Sequence, residues 1–85
     1  MNFEIKEIVD KVVSNNISLE EFCIIYLMYE KDFETLDKLD NHCRNSRYIL
    51  LYQKLFREQW ITLTTGEENE IFKLTEKSIN LLENN

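Results

Sequence analysis

Between Phe3 and Ser14 the apolar residues Ile5, Ile8, Val9, Val12 and Val13 recur at helical spacing, with Glu4, Lys6, Glu7, Asp10 and Lys11 on the other side. The pattern predicts a first helix, closed by Asn15 and Asn16. Ser18 followed three residues later by Glu21 is a capping box, and Ile17 stands where it can pack on Phe22 as a hydrophobic staple, so a second helix starts at Ser18. Its body, FCIIYLMY, is apolar on all sides and competes with a buried strand; the cap decides for a central, buried helix. After the polar break at Glu30, Lys31 and Asp32, the recurrence of Phe33, Leu36, Leu39 and Cys43 predicts a short third helix. Asn45 or Ser46 then supplies the N-cap of a fourth, running to Glu58 or Gln59. On a wheel at about 100° per residue, Tyr48, Ile49, Leu51, Tyr52, Leu55 and Phe56 form one broad apolar arc. Gln53, Arg57, Lys54 and Arg47 lie opposite, with Leu50 in their midst.

Beyond Trp60 the period changes to two. The alternation in Ile61, Thr62, Leu63 and Thr64 predicts a strand, Thr65 to Asn69 with Gly66 a turn, and Glu70 to Leu74 a returning strand. Thr75 caps a last helix, in which Leu74 and Ile79 form a second staple pair ahead of Leu81 and Leu82 and a polar end at Glu83 to Asn85. The expected class is mainly α with a small β-hairpin, in the order α-α-α-α-β-β-α. One domain is expected over residues 1–85, with an N-terminal extension helix over 1–16 and a core over 17–83.

Composition narrows the setting. Eighty-five residues support one small core, to which every amphipathic element must contribute. Two cysteines do not make a disulfide scaffold, the N-terminus lacks the basic and apolar regions of a signal peptide, and the longest apolar run, Phe22 to Tyr29, falls well short of the roughly 20 residues that cross a bilayer. A soluble cytoplasmic protein without a membrane partner is expected. Proline and alanine are absent and glycine occurs once, whereas Asn, Ile, Lys and Glu abound, a bias expected of an A/T-rich genome, bacterial or phage; for a phage protein the compartment is the host cytoplasm.

Charge singles out one stretch. Asn41 to Arg57 holds all three arginines of the chain, Arg44, Arg47 and Arg57, together with Lys54 and no carboxylate, a formal +4 in a chain that totals −6. The acidic total opposes general adhesion to nucleic acid, so any such binding depends on this local patch. Tyr48, Tyr52 and Phe56 could stack bases, although a stripe at four-residue spacing on the apolar side of a helix is more often core. Trp60 is expected in the core where helix meets hairpin. His42, Cys43 and Cys23 fall one ligand short of a zinc site, both cysteines sit on apolar faces, and no glycine-rich phosphate loop exists. Neither metal, cofactor, small-molecule ligand nor enzymatic activity is expected.

ISLEEFCIIYLMYE, DFETLDKLDNH and NSRYILLYQKLFREQWITLT, followed by a short turn and IFKLTEKSINLLE, resemble the winged helix-turn-helix domains of bacterial and phage regulators over about Ile17 to Leu82. Leu74, Thr75 and Glu76 match the Leu-Thr that ends the second wing strand and caps the next helix, and Gln59, Trp60 and Ile61 stand where that family often has a glycine followed by apolar residues. The resemblance implies that the helix from Ser46 to Glu58 enters the major groove of double-stranded DNA. Arg47 and Gln53 would then read base edges, Leu50 would touch a thymine methyl, and Arg44, Lys54 and Arg57 would meet phosphates. Glu67, Glu68 and Glu70 stand on the wing, where they would repel phosphates, so an acidic protein surface is a second partner for the same basic helix, in an assembly such as a phage particle or a polymerase accessory complex. A homodimer would supply two recognition helices. Its candidate surfaces are the N-terminal helix, with Phe3, Ile5 and Val9, and the C-terminal helix, with Leu81 and Leu82.

Overall fold

Ser18 and Glu21 set the start of the central helix as the pattern predicts. The Ser18 hydroxyl accepts from the Glu21 N–H at 3.0 Å and the Glu21 carboxylate accepts from the Ser18 N–H at 2.9 Å, a closed capping box. The helix that follows, α2 (Leu19–Glu30), is preceded by α1 (Ile5–Asn15) and followed by α3 (Phe33–Cys43), α4 (Asn45–Arg57) and α5 (Glu76–Glu83), with the strands β1 (Ile61–Leu63) and β2 (Phe72–Leu74) between the last two helices. The structure, a computed structural model, describes residues 3–63 and 72–84, with backbone alone at 45 and 46. The expected turn with Gly66, and the acidic residues Glu67, Glu68 and Glu70, lie outside the described residues.

The strands pair antiparallel, Ile61 opposite Leu74 and Leu63 opposite Phe72. A mainly helical chain with a small two-stranded hairpin is therefore the observed class. The core gathers Phe22, Ile24 and Ile25 of α2, Leu36 of α3, Leu55 of α4, Trp60, Ile61 and the pair Leu81 and Leu82. That last pair corrects one expectation. The hairpin and α2 both press on α5, so Leu81 and Leu82 face inward and offer nothing to a second copy.

Trp60 is the joint between α4, the hairpin and α5. Its N–H donates to Leu55 O at 2.8 Å, its carbonyl accepts from the Thr75 N–H at 3.2 Å and from the Ser78 hydroxyl, and Lys77 Nζ lies 4.0 Å from its ring centroid. Thr75 also caps α5, accepting from the Ser78 N–H. Asp32 caps α3 by accepting from the Thr35 N–H at 3.1 Å, a signal that the sequence reading passes over as a polar break.

Three helices end on left-handed residues that are not glycine. Asn16, Lys31 and Gln59 have φ of 54°, 58° and 67°. Each sits in a paired arrangement, such as Gln59 N–H to Phe56 O at 3.1 Å with Trp60 N–H to Leu55 O, that closes the last carbonyls of the helix. A Cβ is disfavoured there. Gln59→Gly is accordingly expected to stabilise the fold by about 0.5–1 kcal/mol, read as a higher urea midpoint at unchanged slope. A lower midpoint would mean that the glutamine side chain contributes more than its backbone costs.

Candidate functional site

Between α3 and α4 the chain turns on one residue. Arg44 has φ 66° and ψ 150°, a conformation that is nearly glycine's alone, and its carbonyl accepts from the Tyr48 N–H at 3.0 Å. The expected cap at Asn45 or Ser46 is displaced. Because α3 runs to Cys43, α4 must begin at Asn45, and Arg44 occupies the cap position without a side-chain cap bond.

The rotation of α4 about its own axis decides what it shows. Leu55 is fully buried and Tyr48, Leu51 and Tyr52 are half-buried, so the core takes the predicted apolar arc from its Leu51 edge as far as Tyr52. The Tyr52 ring stacks on Phe72 of β2 at 5.1 Å and meets Tyr48 edge-on at 4.2 Å, which brings the hairpin against that part of the helix. The far edge of the arc is left uncovered by the described residues. Ile49 is 55% exposed and Phe56 45%, and Leu50, the residue after Ile49, is 63% exposed. With Tyr48, Tyr52, Leu63 and Phe72, Ile49 and Phe56 line an almost wholly apolar groove of about 410 Å³ between α4 and the hairpin.

At the opposite edge, α4 turns two of its cations onto the first turn of α2. The Arg47 guanidinium pairs with Glu20, and Lys54 Nζ stands 3.0 Å from Glu21 Oε1. Glu21 is buried, and the same oxygen completes the capping box while its Oε2 has no hydrogen-bond partner among the described residues. Glu20 also accepts from the Cys43 thiol at 3.0 Å. That bond, with burial added, pushes the thiol up to about 11 and, with the help of Arg47, holds the Glu20 carboxyl below its usual range. Cys43 is therefore a protonated thiol at neutral pH, unsuited to nucleophilic work. The hydrogen bond to Glu21 raises Lys54 above its ordinary value, which favours its charged form.

The six residues that the sequence singles out thus part into two groups and Arg44, which stands apart. Arg47 and Lys54 are engaged with α2, whereas Leu50, Gln53 and Arg57 share the outward face with Ile49 and Phe56. Arg44 opens with Arg47 and His42 onto a small cleft of about 310 Å³ that also contains Glu20 and Cys43. Sequence reasoning assigns Ile49 and Phe56 to the core and Glu21 to its cap alone. The adjacent carboxylates Glu20 and Glu21 at the head of an otherwise apolar helix were the available signal that a cation from elsewhere would come to them. Among the described residues no group of three His, Cys, Asp or Glu is placed to hold a metal ion, and no helix is long and apolar enough to cross a membrane. The chain matches no protein-family profile, no curated protein and no solved structure.

Proposed function

We propose that the protein is a docking module that engages a protein partner through the outer surface of α4 and the groove beside it. The observation that carries this is the exchange of roles on α4: Arg47 and Lys54 are neutralised by Glu20 and Glu21, while Ile49, Leu50 and Phe56 are presented outward. A surface of this make-up gains more from an apolar counterpart than from a sugar-phosphate backbone, and Arg57 and Gln53 at its margin suit a partner whose apolar ridge is flanked by carboxylates. The acidic total of the chain, −6, further disfavours a polyanion.

A second reading keeps its own support. The order of helices, hairpin and closing helix over 17–83 resembles a winged helix-turn-helix, and Arg44, Gln53 and Arg57 stand exposed, so a bacterial or phage regulator that sets α4 in the major groove of duplex DNA is the alternative.

One pair of titrations separates the two. Amide shifts of the labelled protein are followed first with a panel of acidic amphipathic helical peptides and then with mixed-sequence duplex DNA at two salt concentrations. Docking predicts peptide-induced shifts confined to residues around Ile49, Gln53, Phe56 and Leu63, lost in Phe56→Glu. If no peptide binds, and duplex DNA binds with a salt slope that Arg57→Ala lowers by about one unit, the docking proposal gives way to the regulator.

A further inference from the structure

α1 carries an apolar stripe that the described residues leave uncovered. Ile8 and Val12 are half-buried and packed against the core, yet Ile5, Val9 and Val13, spaced four apart on the outer side, are 76%, 51% and 73% exposed. Exposed β-branched residues at a strict four-residue interval form the ridge by which one helix packs against another. None of the three belongs to the groove beside α4.

The charges beside the stripe say what covers it. At about 100° per residue, Lys6 and Asp10, both exposed, fall on one flank of the stripe, four residues apart. When two identical helices pack antiparallel about a two-fold axis, each flank meets the same flank of the other copy in reverse order. Lys6 then lies beside the second copy's Asp10, and Asp10 beside its Lys6. Parallel packing would instead set this charged flank against the side that carries Ile8 and Val12. The stripe and its flank are therefore complementary to their own reversed copy.

We propose that the protein forms a two-fold homodimer through antiparallel pairing of α1, with Val9 meeting Val9 at the axis and Ile5 meeting Val13 on either side. The interface is isologous and leaves α4 and the hairpin of both copies free. Stable interfaces bury about 800 Å² per partner. A three-residue stripe supplies less, so a dimer in reversible exchange with the monomer is expected.

Cysteine cross-linking of the full chain tests the geometry, since a disulfide forms only between Cβ atoms about 3.5–4.5 Å apart. Under mild oxidation Val9→Cys is expected to give a linked dimer, whereas Ile5→Cys and Val13→Cys link poorly alone but link to each other when mixed. In sedimentation equilibrium, Val9→Glu should weaken association at least about tenfold. Lys6→Glu should weaken it too, and combining it with Asp10→Lys should restore it. All five positions are exposed, so folding is retained, which circular dichroism checks. A monomeric mass into the millimolar range, or equal cross-linking of all three cysteine variants, would overturn the proposal while leaving the docking of α4 untouched.

Discussion

Replacing Phe22 with alanine is expected to lower the unfolding free energy by about 3–5 kcal/mol. Phe22 is 3% exposed, belongs to the central cluster with Ile24, Ile25 and Leu55, and meets the Phe3 ring edge-on at 5.7 Å. Truncation removes the transfer free energy of the ring, leaves a void among residues held by three helices, and frees the segment that leads into α1. Part of the void would open into the neighbouring cleft of about 670 Å³, which Phe22 lines with Phe3, Ile8 and Tyr26, so collapse cannot recover much of the loss. Thermal melting should fall by more than about 10 °C. Phe22→Leu, which keeps most of the volume, should cost less than half as much. Unchanged melting of the alanine variant would mean that α2 is not the centre of the fold.

Lys54→Ala is expected to cost about 2–3 kcal/mol, below the range for a wholly buried pair because Lys54 keeps over a third of its side chain in solvent. The loss comes mainly from the partner. Glu21 is 1% exposed, its Oε2 has no hydrogen-bond partner among the described residues, and without Lys54 the buried carboxyl would be left with the Ser18 N–H as its remaining donor there. Glu21→Gln in the same background should recover part of the cost, since the amide can still accept from Ser18 without a buried charge. Urea denaturation of the two single variants and the double gives the coupling directly. The linkage has a definite sign: Lys54 is raised above its ordinary value in the folded state, so its contribution is complete at neutral pH and is lost only as alkaline pH rises through the raised value. A cost under about 0.5 kcal/mol would show the pair to be an ordinary solvated one.

The fold was legible wherever a local rule acted alone. Ser18 with Glu21, the alternation from Ile61 and the cap at Thr75 each fixed the type of an element from a handful of neighbouring residues. Boundaries between helices were less so, as at Arg44, because the end of α3 is decided by the packing of Cys43 rather than by the residues that follow it. The face of α4 was legible only in part. An apolar arc spanning Tyr48 to Phe56 exceeds what a two-stranded hairpin and α3 can cover, and the sequence does not say which edge emerges. The observed rotation buries Leu55 with Tyr48, Leu51 and Tyr52, pairs Arg47 and Lys54 with Glu20 and Glu21 of α2, and leaves Ile49 and Phe56 exposed. No local pattern encodes a pairing across 27 or 33 residues.

The hydrogen bonds of Trp60 bear on how a partner would be met. Its N–H holds the end of α4, and its carbonyl is held by Thr75 and Ser78, so the two walls of the apolar groove, helix and hairpin, are tied at their common root by backbone atoms. For the proposed docking, the described main chain on both sides of the groove would already be joined before a partner arrives, so more of the ordering entropy of association would fall on the partner.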